Sequence, residues 1–107
     1  MTILIVGGMA QGKRAFARSL SPEAEIVDNL QDIVRRALER GAPVPQAADF
    51  LDKTVVCTEL GCGVVPMDAF EREWREQTGR LCCEIAAQAA RVYRVSCGIA
   101  QCIKGAP

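Results

Sequence analysis

Apolar positions along the chain change their period several times, and each change marks an element. Thr2 to Val6 (TILIV) is a continuous β-branched run that stops at a glycine pair. That is the pattern of a strand buried on both faces, as in a parallel sheet. From Gly12 to Leu20 the spacing is helical, with Phe16 and Leu20 four apart, until Ser21-Pro22 breaks the chain. Glu25 to Val27 reads as the end of a second strand. From Asp28 the pattern turns helical again. Leu30, Ile33, Val34, Ala37 and Leu38 form one amphipathic stripe, and Gly41, with Pro43 and Pro45 behind it, is placed to end that helix.

Gln46 to Asp52 is ambiguous and fits one or two helical turns. Thr54 to Thr58 (TVVCT) reads as another buried strand, followed by a glycine-rich turn, Glu59-Leu60-Gly61-Cys62-Gly63, and by Val64-Val65-Pro66. Asp68 with Glu71 resembles a capping box that starts the longest helix, whose stripe is Phe70, Trp74, Leu81 and Ile85. That stripe serves either the core or an interface between copies. Gly79 inside this helix costs about 1 kcal/mol relative to alanine, which a closely packed neighbour would explain. Val92 to Ser96 is the last clear strand, and Gly98 to Lys104 adds a short extension or an edge strand. Strands alternating with helices predict an α/β fold. With 107 residues and no repeat or linker, one domain spanning 1–107 is the expectation.

Composition narrows the function. Thirteen basic and thirteen acidic residues leave a formal net charge of zero. Non-specific nucleic-acid binding needs an excess of positive charge, so it is not expected. No apolar run approaches the ~20 residues of a membrane span. The N-terminal stretch is apolar first and basic afterwards, the reverse of a secretory signal. A cytoplasmic protein is expected, with its six cysteines reduced. The chain has no histidine, so it holds no histidine base, nucleophile or metal ligand.

Gly7-Gly8-Met9-Ala10-Gln11-Gly12-Lys13-Arg14 matches G-x-x-x-x-G-K at every fixed position, between a predicted strand and a predicted helix. Glycines let the backbone wrap phosphate oxygens, amides and the helix N-terminus face the negative charge, and Lys13 would reach the outer phosphates. The alternative is a tight strand-to-helix turn whose glycines serve packing alone. The last motif position departs. Arg14 stands where Ser or Thr would hold magnesium, so Mg2+-dependent phosphoryl transfer is in doubt even if ATP or GTP binds. Arginine there contacts a phosphate directly or points into solvent. Asp28 is the best substitute metal ligand, in the manner of a Walker B aspartate; its other reading is the N-cap of the following helix.

Several stretches together resemble the bifunctional adenosylcobinamide kinase/adenosylcobinamide-phosphate guanylyltransferase family of cobalamin biosynthesis. They are the phosphate loop, Thr58-Glu59-Leu60-Gly61-Cys62-Gly63-Val64-Val65-Pro66, Gly79-Arg80-Leu81-Cys82-Cys83, and Val95 to Ile99 with Lys104. Ile26 to Leu30 is similar to the strand bearing that family's Walker B aspartate. The resemblance implies a P-loop NTPase (RecA-like) three-layer domain with a mostly parallel sheet, here reduced in size. It implies phosphorylation of a corrinoid hydroxyl from ATP or GTP, and assembly into trimers. The family's guanylyl transfer runs through a histidine between the P-loop and the Walker B strand. Here that interval is short and holds none, so this activity is expected to be absent. The resemblance makes Lys13, Asp28 and Glu59 the catalytic candidates and Asp28 and Glu59 the metal ligands. Glu59 otherwise caps the glycine turn. Arg80 pairs with phosphate or, more simply, with an acidic neighbour.

Cys57-x4-Cys62 and Cys97-x4-Cys102 share a spacing, and Cys82-Cys83 are adjacent. None is the C-x-x-C of a zinc or redox site. Cys57 and Cys97 are expected on core strands as small hydrophobes. Were those strands neighbours, the two pairs would converge and a soft metal or iron–sulfur group would become conceivable. Three functional classes therefore stand: a kinase-type enzyme, a non-catalytic nucleotide-binding or assembly protein, and, least favoured, a thiol or metal module.

Overall fold

The computed structural model describes residues 1–9, 11–60 and 68–106. Among the described residues, five strands form one sheet: β1 (Ile3–Gly7), β2 (Ile26–Val27), β3 (Thr54–Thr58), β4 (Arg91–Ser96) and β5 (Ile99–Lys104). Three α-helices join them there: α1 (Lys13–Leu20), α2 (Leu30–Arg40) and α3 (Ala69–Gln88). The strand order is β2-β3-β1-β4-β5. β1 is central and parallel to β3 (Ile3 opposite Thr54) and to β4 (Ile3 opposite Arg91); β2 is parallel to β3. Only β5 runs antiparallel, paired with β4. The fold is α/β with a mostly parallel sheet, as the alternation of apolar runs and stripes predicts.

Alternation along the strands divides the apolar side chains between two cores. Leu4, Val55, Cys57 and Val92 face α2 and α3, where they meet Leu30, Val34, Leu81 and Ile85. Ile3, Ile5, Val56, Tyr93 and Val95 face the other way, onto Ala17, with Phe16 and Leu20 of α1 at the margin. Side chains on both faces of a sheet are what make TILIV and TVVCT read as unbroken apolar runs. α1 is a single short helix, so the second core is thin. Its closest aromatic contact is Phe16 edge-on to Tyr93, with ring centroids 4.9 Å apart.

The termini of the helices follow their local chemistry. Gly41 closes α2 in the left-handed conformation, φ 67°, and its N–H reaches back to Ala37 and Leu38. Asp68 caps α3 by accepting from the Phe70 N–H at 2.7 Å. Glu71 does not complete a capping box in the described contacts; its carboxylate receives Arg35 at 3.0 Å. The ambiguous stretch after Pro45 forms a short 3-10 turn, Ala47–Phe50, that buries Phe50.

Four expectations need correction. Asn29, not Asp28, occupies the N-cap of α2, with φ 54°. Asp28 lies one residue earlier, and its Oδ1 accepts the Asn29 N–H at 3.0 Å. Cys97 is not in the core: it is exposed, with φ 51°, and forms the β4–β5 turn with Gly98, φ 75°. β3 and β4 are not neighbours, because β1 lies between them, so the two C-x4-C pairs are not brought together through adjacent strands. Cys62 itself lies outside the described residues, as do Gly61 and Gly63 to Met67. Gly79 has no close-packed neighbour: among the described residues nothing comes within 4 Å of where a Cβ would stand.

Candidate functional site

Parallel strands end together, and ligands of open α/β sheets bind beyond their carboxyl ends. Here those ends carry Gly7 of β1, Val27 of β2 with Asp28 behind it, and Thr58-Glu59 at the end of β3. A cleft of about 310 Å³ opens at this edge, lined in part by Gln11, Gly12, Lys13, Arg14, Asp28 and Thr58. Ala10 lies outside the described residues, and Met9 is exposed at the rim.

The loop is shaped by two different glycine requirements. A Cβ on Gly7 would stand 2.4 Å from the Val95 carbonyl oxygen, so the close approach of β1 to β4 excludes any side chain. Gly12 has φ 89° and serves as the N-cap of α1, a conformation that glycine adopts readily and other residues rarely. Gly8 meets neither condition. Behind the loop sits the β4–β5 turn. Gln11 accepts the Cys97 N–H on its side-chain oxygen at 2.6 Å and the Gly98 N–H on its backbone oxygen at 3.0 Å.

Lys13 is buried, 7% exposed. Its stem lies against Gly7, and its Nζ donates to the Gly8 carbonyl at 2.5 Å. A buried ammonium carries a large desolvation cost unless it is paired. Among the described residues its partner is a neutral carbonyl, at the wall of an open cleft.

Arg14 reaches across the cleft mouth. Its Nη1 lies 2.6 Å from Asp28 Oδ2 and its Nη2 lies 3.1 Å from Glu23 Oε1. Arg18 adds a contact to the other oxygen of Glu23 at 3.1 Å. The two guanidiniums, Arg18 first and then Arg14, hold the Glu23 carboxyl below the usual carboxylate range. Glu59 is placed differently. Its backbone N–H bonds Gly7 O at 2.8 Å, beside the loop, but its carboxylate is ion-paired with Arg94 at 2.9 Å. It lines a second cleft, of about 260 Å³, on the α3 side of the sheet, with Cys57, Thr78, Cys82 and Arg94. The fold therefore gathers Lys13, Arg14 and Asp28 into one cleft and sets the Glu59 carboxylate in another. Thr58 lines both.

This arrangement does not fit a magnesium ion. The Asp28 carboxylate has a guanidinium on one oxygen and a backbone N–H on the other, Glu59 faces Arg94, and position 14 offers a cation where a hydroxyl would coordinate. Among the described residues no three Cys, Asp or Glu side chains group closely enough to hold a metal. Cys57 and Cys82 meet beneath the second cleft. Contact with Cys82, and burial after it, push the Cys57 thiol above its usual range, and the same contact draws Cys82 down. Arg80 pairs with Glu76 at 2.8 Å on the exposed face of α3.

Three polar residues at the site escape a reading of the sequence. Gln31 is buried on α2; its side-chain oxygen accepts the Thr58 N–H at 3.0 Å and its carbonyl accepts the Trp74 indole at 2.7 Å. One residue thus ties α2 to the end of β3 and to α3. Thr78 is buried at the second cleft, and its Oγ1 has no hydrogen-bond partner among the described residues. Both signals lay in the pattern: Thr78 falls four past Trp74 on the apolar stripe, and Gln31 follows Leu30 at the buried start of its own. Glu23 left no signal, since only the fold brings it to Arg14.

A mostly parallel α/β sheet with a glycine- and lysine-bearing loop at its carboxyl edge defines a small domain of the P-loop class. The family model for cobinamide kinase / cobinamide phosphate guanyltransferase matches residues 46–103, more than half of the chain. The chain belongs to that family, whose activities lie in cobalamin biosynthesis. The matched stretch runs from the 3-10 turn through β3, α3 and β4 into β5, and the phosphate loop lies outside it. No curated protein matches the chain. Among the described residues no helix is long and apolar enough to cross a membrane.

Proposed function

We propose that this chain binds ATP or GTP through its phosphate loop and serves cobalamin biosynthesis in the cytoplasm as a kinase-type member of its family, with a corrinoid alcohol as acceptor. One observation carries the reading. The G-x-x-x-x-G-K stretch joins β1 to α1 at the carboxyl edge of the sheet, with Lys13 buried in the wall of a cleft that Gly12 also lines. A glycine-bearing loop, the start of α1 and an ammonium meet there, the combination that suits phosphate oxygens. Guanylyl transfer is no part of this reading, because these 107 residues hold no histidine to carry the nucleotide. Three copies assemble, as the resemblance implies.

A second reading, nucleotide binding without phosphoryl transfer in a regulatory or assembly role, is favoured by the pairing of Asp28 with Arg14 and of Glu59 with Arg94. Neither carboxylate is poised to orient a metal or deprotonate a hydroxyl. Calorimetric titration with ATP and with GTP tests what the two readings share. Binding is expected for the wild type and is expected to be lost in Lys13→Ala. Absence of binding in the wild type would discard both. Transfer of the terminal phosphate to adenosylcobinamide, followed by chromatography, then separates them: product supports the kinase, and binding without product supports the second reading.

A further inference from the structure

We propose that the Arg14 guanidinium stands in place of the divalent cation, so that the phosphate loop takes nucleoside di- and triphosphates in their metal-free form. The inference rests on the nucleotide-binding reading above and adds what the loop recognises.

A P-loop site places a metal between a hydroxyl at the end of the loop, an acidic residue from a nearby strand, and the outer phosphates. Each protein-side element of that geometry is occupied here by one side chain. Position 14 is arginine, and its Nη1 lies 2.6 Å from Asp28 Oδ2, which follows β2 at the same edge of the sheet. The remaining Asp28 oxygen accepts the Asn29 N–H at 3.0 Å. Asp28 is the less exposed partner, its side chain 20% exposed against 51% for Arg14. A metal would have to displace a charge-assisted hydrogen bond and then sit beside the guanidinium it displaced.

The guanidinium does what the ion would do. It neutralises Asp28, which would otherwise repel an incoming phosphate. It is a planar fork with five N–H donors. Two of its nitrogens contact Asp28 and Glu23, and the half-exposed group lines the same cleft as Lys13. Glu23, bridged on its other oxygen by Arg18, fixes the fork from behind. A phosphate chain entering between Lys13 and Arg14 meets two fixed cations. Arginine is suited to this because it stays charged and holds its donors in a geometry that matches phosphate.

The test is calorimetric titration of the full chain with ATP and GTP, in EDTA and in excess magnesium, for the wild type, Arg14→Ser and Arg14→Lys. Wild-type affinity is expected to be at least as high in EDTA as in excess magnesium, because magnesium ties up the free nucleotide that the site takes. Arg14→Ser is expected to lose about tenfold or more of metal-free affinity, the scale of a charged hydrogen bond, and to regain part of it with magnesium. Arg14→Lys keeps the charge without the fork and is expected to fall between them, again without a magnesium requirement. Wild-type binding that magnesium strengthens about tenfold would overturn the inference while leaving the phosphate-loop reading intact. Metal-free affinity unchanged in Arg14→Ser would do the same. No binding by the wild type in either buffer would remove both.

Discussion

Gly7 and Gly12 stand in one loop for unrelated physical reasons. Gly12 needs glycine for its backbone angle, and Gly7 needs it for room. The Val95 oxygen that a Gly7 Cβ would strike belongs to the backbone of β4, locked to β1 by parallel pairing. Neither strand has slack to yield. Gly7→Ala is therefore expected to destabilise the fold by at least the ~1–3 kcal/mol typical of overpacking. A urea melt reads this directly, and an unchanged midpoint would show that β1 and β4 separate more freely than their pairing suggests. The motif itself was legible as residues. Its second neighbour was not: Arg14 and Asp28 are fourteen positions apart, with Glu23 between them, and only the turn after α1 brings the three charges together. Sequence pattern carries periodicity and capping, and it does not carry which exposed charges will face each other.

At the scale of elements, continuous apolar runs located β1 and β3, and the stripe with its closing glycine located α2, because burial on two faces and on one face leave different periods. β4 ends at Ser96, where the sequence pattern ends it, but Cys97 does not continue into the core. VYRVSCG keeps strand-like residues up to the glycine, and the hairpin bends one residue earlier, at Cys97, in a conformation that cysteine seldom adopts. α3 shows the reverse failure. Its glycine suggested crowding where the described residues leave space. Gly79 has no positive φ to preserve, so Gly79→Ala is expected to stabilise the protein by about 1 kcal/mol through helix propensity. A higher thermal midpoint would confirm it, and a lower one would mean that the space beside Gly79 is filled. Leu81 and Ile85 bury the second half of α3 in the core, and its first half is held by α2: Trp74 donates to Gln31, and the Arg35 guanidinium stacks on Phe70 and Trp74, 5.1 and 4.7 Å from their ring centres. Phe70 and Trp74 read as apolar anchors in the sequence, and the arginine that covers them lies on another helix.

For the molecule as a whole, the two faces of the sheet are unequally covered. Among the described residues α2 and α3 close one, α1 alone crosses the other, and β5 ends the sheet with Ile99 and Ile103 exposed. An uncovered edge strand with apolar side chains invites pairing with another chain. Association into the proposed trimer is expected to appear in sedimentation equilibrium as three times the 11.6 kDa chain mass. A monomer at micromolar concentration would contradict it. The layered α/β plan and the family were both readable before any coordinates, since three separated motifs in the right order constrain a chain more than any one of them. The division of the carboxylates between two clefts was not readable, because it depends on which side of the sheet each side chain leaves.

The position of β1 has a consequence for how the protein comes to be folded. The central strand is the first to be synthesised, yet Ile3 must wait for Thr54 on one side and for Arg91 on the other. No early hairpin can shelter it, because its pairings are parallel and distant, and such pairings close slowly after the loop entropy has been overcome. Until β3 emerges from the ribosome, TILIV is an unpaired apolar segment, and until β4 follows, one of its two edges stays open. Birth order thus leaves the nascent chain exposed at the segment that later becomes among its most protected.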